Sequence, residues 1–522
     1  MNFRSFDFRR RRPNSALALL VGAAGFGMAV FGVLCDIHAQ DPAVVFEDTI
    51  VKIVERVEPS VVSIGRHTPP PRSRSGPTHR AFGRADMVEE QDEIPNEFGA
   101  GFLVSPVKST ERYVLTNLHV VRGGPVSPYY VADDGTELRV RFSDRRGCLA
   151  TIYAADPRSD LAVLRLEWGR NGVKPDEFPS VNWENAPPPR KGQFVLLLGN
   201  PYGIARDGSA SVSWGLVSNL TRQPIPLSRK QATTSEEYVN SSTLYRLGVV
   251  MQLDARLNLG TSGGPVLNSK GELIGISTSL AAIEGYEQST GFAIPVDGLT
   301  RRIVRTLLDG HEVEYGIIGI SPGELSPVDF LHLNTGLPQR SAAAVVKVQP
   351  GSPADVAKID DADVVVKVEG VPVLSTSDLV RMVGLHPPDS EIDLTLWRRG
   401  RQRLESVKVK LAKWPVRDEE GIVETVPRYA PWRGLSVDYS TARQRGETLV
   451  YQRVLVMKVA EGSPAQAARL QPGTFITHVN NNPVRTPAEF YEAVKKTQGI
   501  VTLKLSEDAP GTLSARSVQI RD

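Results

Sequence analysis

The chain has 522 residues, which at roughly 150 residues per domain predicts about three or four domains. Hydrophobic residues make up 41% and charged residues 23%, so a disordered or collagen-like chain is excluded. Lys and Arg number 61 against 59 Asp and Glu, and five of the Arg lie in the first 14 residues, so the rest of the chain is nearly neutral and lacks the broad positive field of a nucleic-acid binder.

The N-terminal region, residues 1–40, reads as a signal peptide or membrane anchor. Arg9 to Arg12 form a basic block, and Pro13 to Cys35 then runs 23 residues without a charge. A secretory apolar core is about 7–15 residues and a spanning helix about 20. The length favours an uncleaved anchor over residues 13–35; cleavage after Ala39 is the alternative. Leu34 is too large for a lipoprotein signal at Cys35. Basic residues before the run keep that end in the cytoplasm and put the bulk of the chain outside it. Cys35 lies in this run and Cys148 stands alone, which excludes a disulfide framework.

Asp41 to Val57 reads as a short amphipathic segment leading into a strand, Ser60-Val61-Val62-Ser63-Ile64. Arg66 to Asn96 is rich in Pro, Arg, Ser and acids, and predicts a long mobile loop. From Gly99 to Pro295 short apolar runs alternate with Gly, Pro, Asn and Asp. That pattern predicts a sandwich or barrel, not βαβ units. Val296 to Leu308 reads as a closing helix. Beyond it, Val348–Val383 aligns without a gap to Val459–Val494 at a constant offset of 111, with Gly351-Ser352-Pro353-Ala354 recurring as Gly462-Ser463-Pro464-Ala465. This spacing means a duplicated domain. Lys413 to Pro431, with three Pro and a charge run, reads as the linker between the copies.

The strongest local signal is Asp254-Ala255-Arg256-Leu257-Asn258-Leu259-Gly260-Thr261-Ser262-Gly263-Gly264-Pro265. A serine hydroxyl needs an adjacent base to act as a nucleophile, and small neighbours let backbone N–H groups face a developing oxyanion. The same residues fit the G-x-S-x-G nucleophile elbow, but that motif needs a helix after the serine and a histidine downstream. Here a hairpin follows, with Ser269-Lys270-Gly271 at its turn, and the best histidine lies upstream. Of eight histidines, His119 alone sits in the β-rich region, directly after the apolar strand before Asn117. Asp160 heads the strand Leu161–Leu166, where a buried carboxylate can orient an imidazole. Asp133, Asp134, Asp144 and Asp156 stand in turn-like polar stretches. The order His, Asp, Ser is that of chymotrypsin-type double barrels.

With these residues in view the chain resembles an HtrA (DegP-like) serine protease with two PDZ domains. Thr116-Asn117-Leu118-His119-Val120-Val121, Ser159-Asp160-Leu161-Ala162-Val163-Leu164 and Asp254 to Pro265 match the family's three catalytic motifs. Gly199-Asn200-Pro201-Tyr202-Gly203 and Gly291-Phe292-Ala293-Ile294-Pro295 match two further blocks. The resemblance implies a mainly β chain: a chymotrypsin/trypsin-like double β-barrel over 41–310, PDZ domains of α+β type over 311–412 and 432–522, and a linker over 413–431. It implies backbone N–H groups of Gly260 and Ser262 as the oxyanion hole, and Arg66–Asn96 as the regulatory loop. It further implies a periplasmic or envelope protease acting on unfolded protein or peptide substrates, assembled as a trimer or a multiple of trimers.

PDZ domains hold a peptide C-terminus with the backbone of a tight loop. Ile317, Ile318, Gly319 and Ile320 fill that role in the first copy, and Gly434, Leu435, Ser436 and Val437 in the second. Departures from the family are Thr261 in place of Asn, Arg256 in place of a small or apolar residue, and a longer polar stretch at Gln223–Tyr245. Arg256 either points to solvent or lets the specificity pocket accept an acidic residue. Lys358 and Ala362 stand where the family commonly has Gly, which predicts altered turns. His311-Glu312 lacks the second histidine of H-E-x-x-H, and there is no P-loop, dinucleotide fingerprint or C-x-x-C, so no metal or cofactor is expected. The rival reading is an inactive protease fold serving as a holdase or PDZ scaffold. Its mark would be a damaged triad, and here all three residues are present.

Overall fold

A computed structural model describes residues 41–68, 95, 97–126, 135–169, 173–200, 208–222, 250–278, 290–415, 421–442, 449–506 and 515–521. The anchor run 13–35, nearly all of the loop expected at 66–96, residues 201–203 of the fourth family block and the stretch 223–245 lie outside these residues. Among the described residues no helix is long and apolar enough to cross a membrane.

Helix α1 (Pro42–Val57) buries Ile53 and Val57, and Pro59 turns the chain into a 3-10 turn before the first strand. The first six strands, β1 (Val61–His67), β2 (Glu97–Val104), β3 (Tyr113–Asn117), β4 (Glu137–Phe142), β5 (Gly147–Asp156) and β6 (Leu161–Leu166), close into a barrel in the order β1-β2-β3-β6-β5-β4. Strands β7 (Phe194–Gly199), β8 (Ser211–Arg222), β9 (Val250–Leu253), β10 (Pro265–Leu267), β11 (Leu273–Thr278) and β12 (Gly291–Pro295) close a second barrel in the same relative order. Arg66 and His67 correct the expected loop. They belong to β1, where Arg66 pairs with Glu97 and with Leu138.

Strands β3, β7 and β11 are apolar runs because both their faces are covered, whereas β4 alternates buried and less buried residues. In β3, Val114 packs in the first barrel's own core, while Tyr113 and Leu115 join a shared core. In β7, Val195 and Leu197 serve the second barrel, while Leu196 and Leu198 join that shared core. The helix Gly298–Leu308 lays Leu299, Ile303, Val304 and Leu307 on the same core, with Asp297 capping it by accepting from Thr300 N at 3.0 Å.

The two PDZ copies repeat one sheet order. In the first, strands β14 (Ile320–Leu325), β15 (Ala342–Val348), β16 (Val364–Val368), β18 (Glu391–Arg398) and β19 (Arg403–Lys410) lie side by side, with β17 (Val371–Pro372) on β16. In the second, β21 (Leu435–Tyr439), β22 (Val454–Val459), β23 (Phe475–Val479), β25 (Val501–Ser506) and β26 (Ala515–Ile520) follow suit, with β24 (Asn482–Pro483) on β23. Each Gly-Ser-Pro-Ala forms the start of a one-turn helix whose serine caps it: Ser352 accepts from Asp355 N, and Ser463 from Gln466 N. The expected change of turn at Lys358 and Ala362 does not occur. Both residues take left-handed backbone angles, φ 58° and 69°, matching Arg469 and Gly473 at 57° and 92° in the second copy. The sheet around them fixes the turn, and the chain bears the strain.

The segment read as a linker begins in the core. Strand β20 (Ala412–Lys413) pairs with β13 (Gly316–Ile317), and the Lys413 side chain is 1% exposed. Its ammonium bonds Glu312 at 2.9 Å and Asp438 at 2.7 Å, with Glu314 at 3.3 Å. Further on, Val423 exchanges two backbone hydrogen bonds with Ala155 of β5. The stretch joining the copies is therefore also packed against the first barrel.

Candidate active site

Strand β3 ends at Asn117 and the chain enters a single helical turn, α2 (Leu118–Val121). Leu118, Val120 and Val121 are buried, so the turn is held by its apolar side chains and leaves the His119 side chain 18% exposed. Because β3 pairs antiparallel with β6 (Asn117 opposite Leu161), the residues just past β3 and just before β6 are neighbours. That register brings His119 to Asp160. His119 Nδ1 lies 2.7 Å from Asp160 Oδ2, and the His119 backbone N–H donates to Oδ1 at 2.9 Å. The Asp160 carbonyl accepts from Leu118 N at 2.9 Å and from Asn117 Nδ2 at 3.1 Å. Each carboxylate oxygen thus has a donor, which is what a 5% exposed Asp requires. Asp160 itself has φ 56°, a left-handed angle that an L-residue adopts only when its surroundings over-determine it.

Ser262 comes from the second barrel, on the turn before β10. The strap is fastened to both barrels. Ala100 N in β2 donates to Ser262 O at 2.8 Å, and Gly263 N donates to Ser277 O at 2.9 Å. Gly263 has φ 87°, and a Cβ there would lie 2.2 Å from Ala100 O and 2.4 Å from Thr116 Oγ1. Only glycine lets the strap lie this close to the end of β3, and hence to the His119 turn. Ser277 Oγ, at the end of β11, donates to Thr261 O at 2.6 Å and fixes the peptide just before the serine. Gly260, at φ 93°, has no hydrogen-bond acceptor for its N–H among the described residues. The barrels are pinned again beside the strap, where Asn200 Nδ2 donates to Ser63 Oγ at 2.6 Å.

His119 and Asp160 are thus in direct contact, and the Ser262 strap is bonded to the neighbouring strand. Arg256 is exposed between buried Ala255 and Leu257. Sequence reasoning missed Asn117, Ala100 and Ser277. Ser277 left a faint signal as a hydroxyl closing an otherwise apolar run, whereas Ala100 acts through its backbone and left none. Among the described residues no cluster of His, Cys, Asp and Glu could hold a metal ion.

In the first PDZ copy, Ile318 and Gly319 form the turn between Ile317, which ends β13, and Ile320, which opens β14, with Gly319 at φ 78°. The second loop needs a correction. Gly319 O accepts from Gln349 N, and Gly434 O accepts from Ala460 N; Ile318 O accepts from Ala354 N, and Arg433 O from Ala465 N. The counterpart of Ile317–Ile320 is therefore Trp432–Leu435, and Ser436 and Val437 are strand residues of β21. Leu435 N also donates to Trp432 O at 2.8 Å, so this loop consumes one of its own donors.

A model described as trypsin-like peptidase domain matches residues 99–276, and models described as PDZ domain match residues 316–411 and 455–506. A relative from Hahella chejuensis (strain KCTC 2396), named probable periplasmic serine endoprotease DegP-like, is 30% identical over 468 residues, covering 85% of this chain and 87% of its own. A relative of the same name from Pseudomonas fulva (strain 12-X) is 27% identical over 499 residues, covering 91% and 92%. Among solved structures, HtrA-type protease AlgW with decapeptide is 22% identical, covering 70% of this chain and 99% of its own with a TM-score of 0.46. The chain belongs to the HtrA, or DegP-like, family of serine endoproteases.

Proposed function

We propose that Ser262 attacks the scissile carbonyl of an unfolded protein or peptide. His119 takes its proton and later gives it to the leaving amine, while Asp160 holds the imidazole in one tautomer and stabilises the imidazolium. The observation that carries this reading is the two-point grip of Asp160 on His119, through Nδ1 at 2.7 Å and the backbone N–H at 2.9 Å. An oxyanion hole on the backbone N–H groups of Gly260 and Ser262 is supported by the Gly260 N–H, which has no acceptor among the described residues.

The first PDZ copy is the one we infer to take C-terminal peptide carboxylates, on the backbone of Ile317 to Ile320. The second copy, whose Leu435 N–H is engaged at home, serves assembly. From the family we carry over a periplasmic location and a trimer or a multiple of trimers, and the charge-free run 13–35 is the segment we infer to hold the chain in the inner membrane.

The test uses residues 41–522 as wild type and as Ser262→Ala, incubated with an unfolded protein. Losing a triad member costs about 10⁴-fold or more in turnover. Cleavage by wild type alone establishes the nucleophile. Cleavage by both variants removes Ser262 from the mechanism, and binding without cleavage by either makes the chain a holdase. A labelled peptide with an apolar C-terminus is expected to bind the wild type and to lose its site when Ile318 and Ile320 are changed to Asp.

A further inference from the structure

The turn that supplies Asp160 is held by a residue outside both barrels. Tyr315, at the head of the first PDZ copy, is 0% exposed and is the largest of the fully buried side chains among the described residues. Its hydroxyl donates to Asp156 Oδ2 at 2.5 Å, across 159 positions of sequence. The same Asp156 oxygen accepts from Ser159 N at 3.0 Å, and the other accepts from Arg158 Nε at 3.0 Å. Asp156 thereby closes the turn 156–159 on itself, and the next residue is Asp160. Arg158 completes the clasp. Its guanidinium lies 4.6 Å over the Tyr315 ring and also donates to Val313 O.

A turn that ends in a left-handed Asp needs such over-determination, because the angle costs about 1–2 kcal/mol. Within the first barrel Leu118 N and Asn117 Nδ2 hold the Asp160 carbonyl, and the stretch 156–159 before it is closed by its own Asp156 side chain. The hydroxyl of Tyr315 is the neutral donor that satisfies Asp156 from outside, and removing it leaves a buried carboxylate oxygen with one partner fewer.

We propose that Tyr315 is a positioning residue for the catalytic acid: through Asp156 it fixes the turn that sets Asp160 against His119. The proposal rests on the triad assigned above. The first PDZ copy then contributes a side chain to the geometry of catalysis, and not only a peptide-binding surface.

The test is Tyr315→Phe in the full chain, which removes the hydroxyl and keeps the ring under Arg158. Steady-state cleavage of a short peptide substrate is measured from pH 5 to 9, per active site as counted with a fluorophosphonate label. The expected result is a kcat lowered about tenfold, a KM within twofold of wild type, and an acid limb displaced to lower pH, since a misplaced Asp160 stabilises the imidazolium less. Arg158→Lys is expected to move kcat and the acid limb in the same direction by a smaller amount, and it stands in if Tyr315→Phe does not fold. A wild-type kcat and acid limb per labelled site in either folded variant overturns the proposal. Retained cleavage by Ser262→Ala would instead overturn the triad, so the two failures are distinguishable.

Discussion

Asp160 carries two burdens at once, a buried charge and a left-handed backbone at φ 56°. Its value to the enzyme is the hydrogen bond to His119 Nδ1, which only a carboxylate makes in the right sense. Asp160→Asn is nearly isosteric, so the fold is expected to survive. The amide presents the wrong group to the imidazole and favours the wrong tautomer, and kcat is expected to fall by about 10⁴-fold with little change in melting temperature. Steady-state kinetics beside a thermal melt check this. His119, Asp160 and Ser262 were readable because their chemistry lives in side chains set in recognisable local runs. The partners that hold them were not. Ala100 acts by its backbone N–H, and Tyr315 is named only by contact with Asp156.

At the scale of the element, the paired turns of the two PDZ copies form a natural double experiment. Ala362 and Gly473 sit at equivalent positions with φ 69° and 92°. Alanine pays for that angle where glycine does not. Ala362→Gly is therefore expected to stabilise the chain by about 0.5–1 kcal/mol, the relief of strain being partly offset by a looser unfolded chain. Gly473→Ala is expected to destabilise by about 1 kcal/mol. Denaturant unfolding of both variants tests the pair, and equal signs would mean the turns are not equivalent. The repeat offset of 111 maps the one-turn helix Pro353–Val356 onto Pro464–Ala467 and β16 onto β23 residue for residue. It fails at the carboxylate loops, where Gly319 corresponds to Gly434, an offset of 115, so the repeat does not align the two loops.

At the scale of the molecule, the junction of the domains is built around charge. Lys413 is held between Glu312, Glu314 and Asp438, and Arg428 bonds Glu314 from the other side. Burial pushes the Asp438 carboxyl up to about 6; Lys413 opposes that shift, and Glu312 and Glu314 reinforce it. A carboxyl raised in the folded state binds its proton more tightly there than in the unfolded chain. Its contribution to stability is complete below about pH 4 and is lost as pH rises through about 6. A shift of this size corresponds to roughly 2–3 kcal/mol. Asp438→Asn keeps the shape and cannot ionise. Its melting temperature relative to wild type is expected to rise between pH 4 and pH 7, and a difference independent of pH would refute the assignment.

The sequence by itself determined the pieces. Strand patterning called for a sandwich or barrel, the repeat at 111 called for a duplicated domain, and the order of His119, Asp160 and Ser262 named the chemistry. These are local signals, written in periodicity, turn residues and short motifs. Tertiary structure alone decided what the pieces do to one another. The segment read as the linker between the copies begins at Lys413, 1% exposed among three carboxylates. An Asp read as a turn residue, Asp156, is bonded to a tyrosine 159 positions away. Such partners are chosen by which faces meet when the chain closes, and burial then turns an ordinary polar residue into one whose every hydrogen bond must be found.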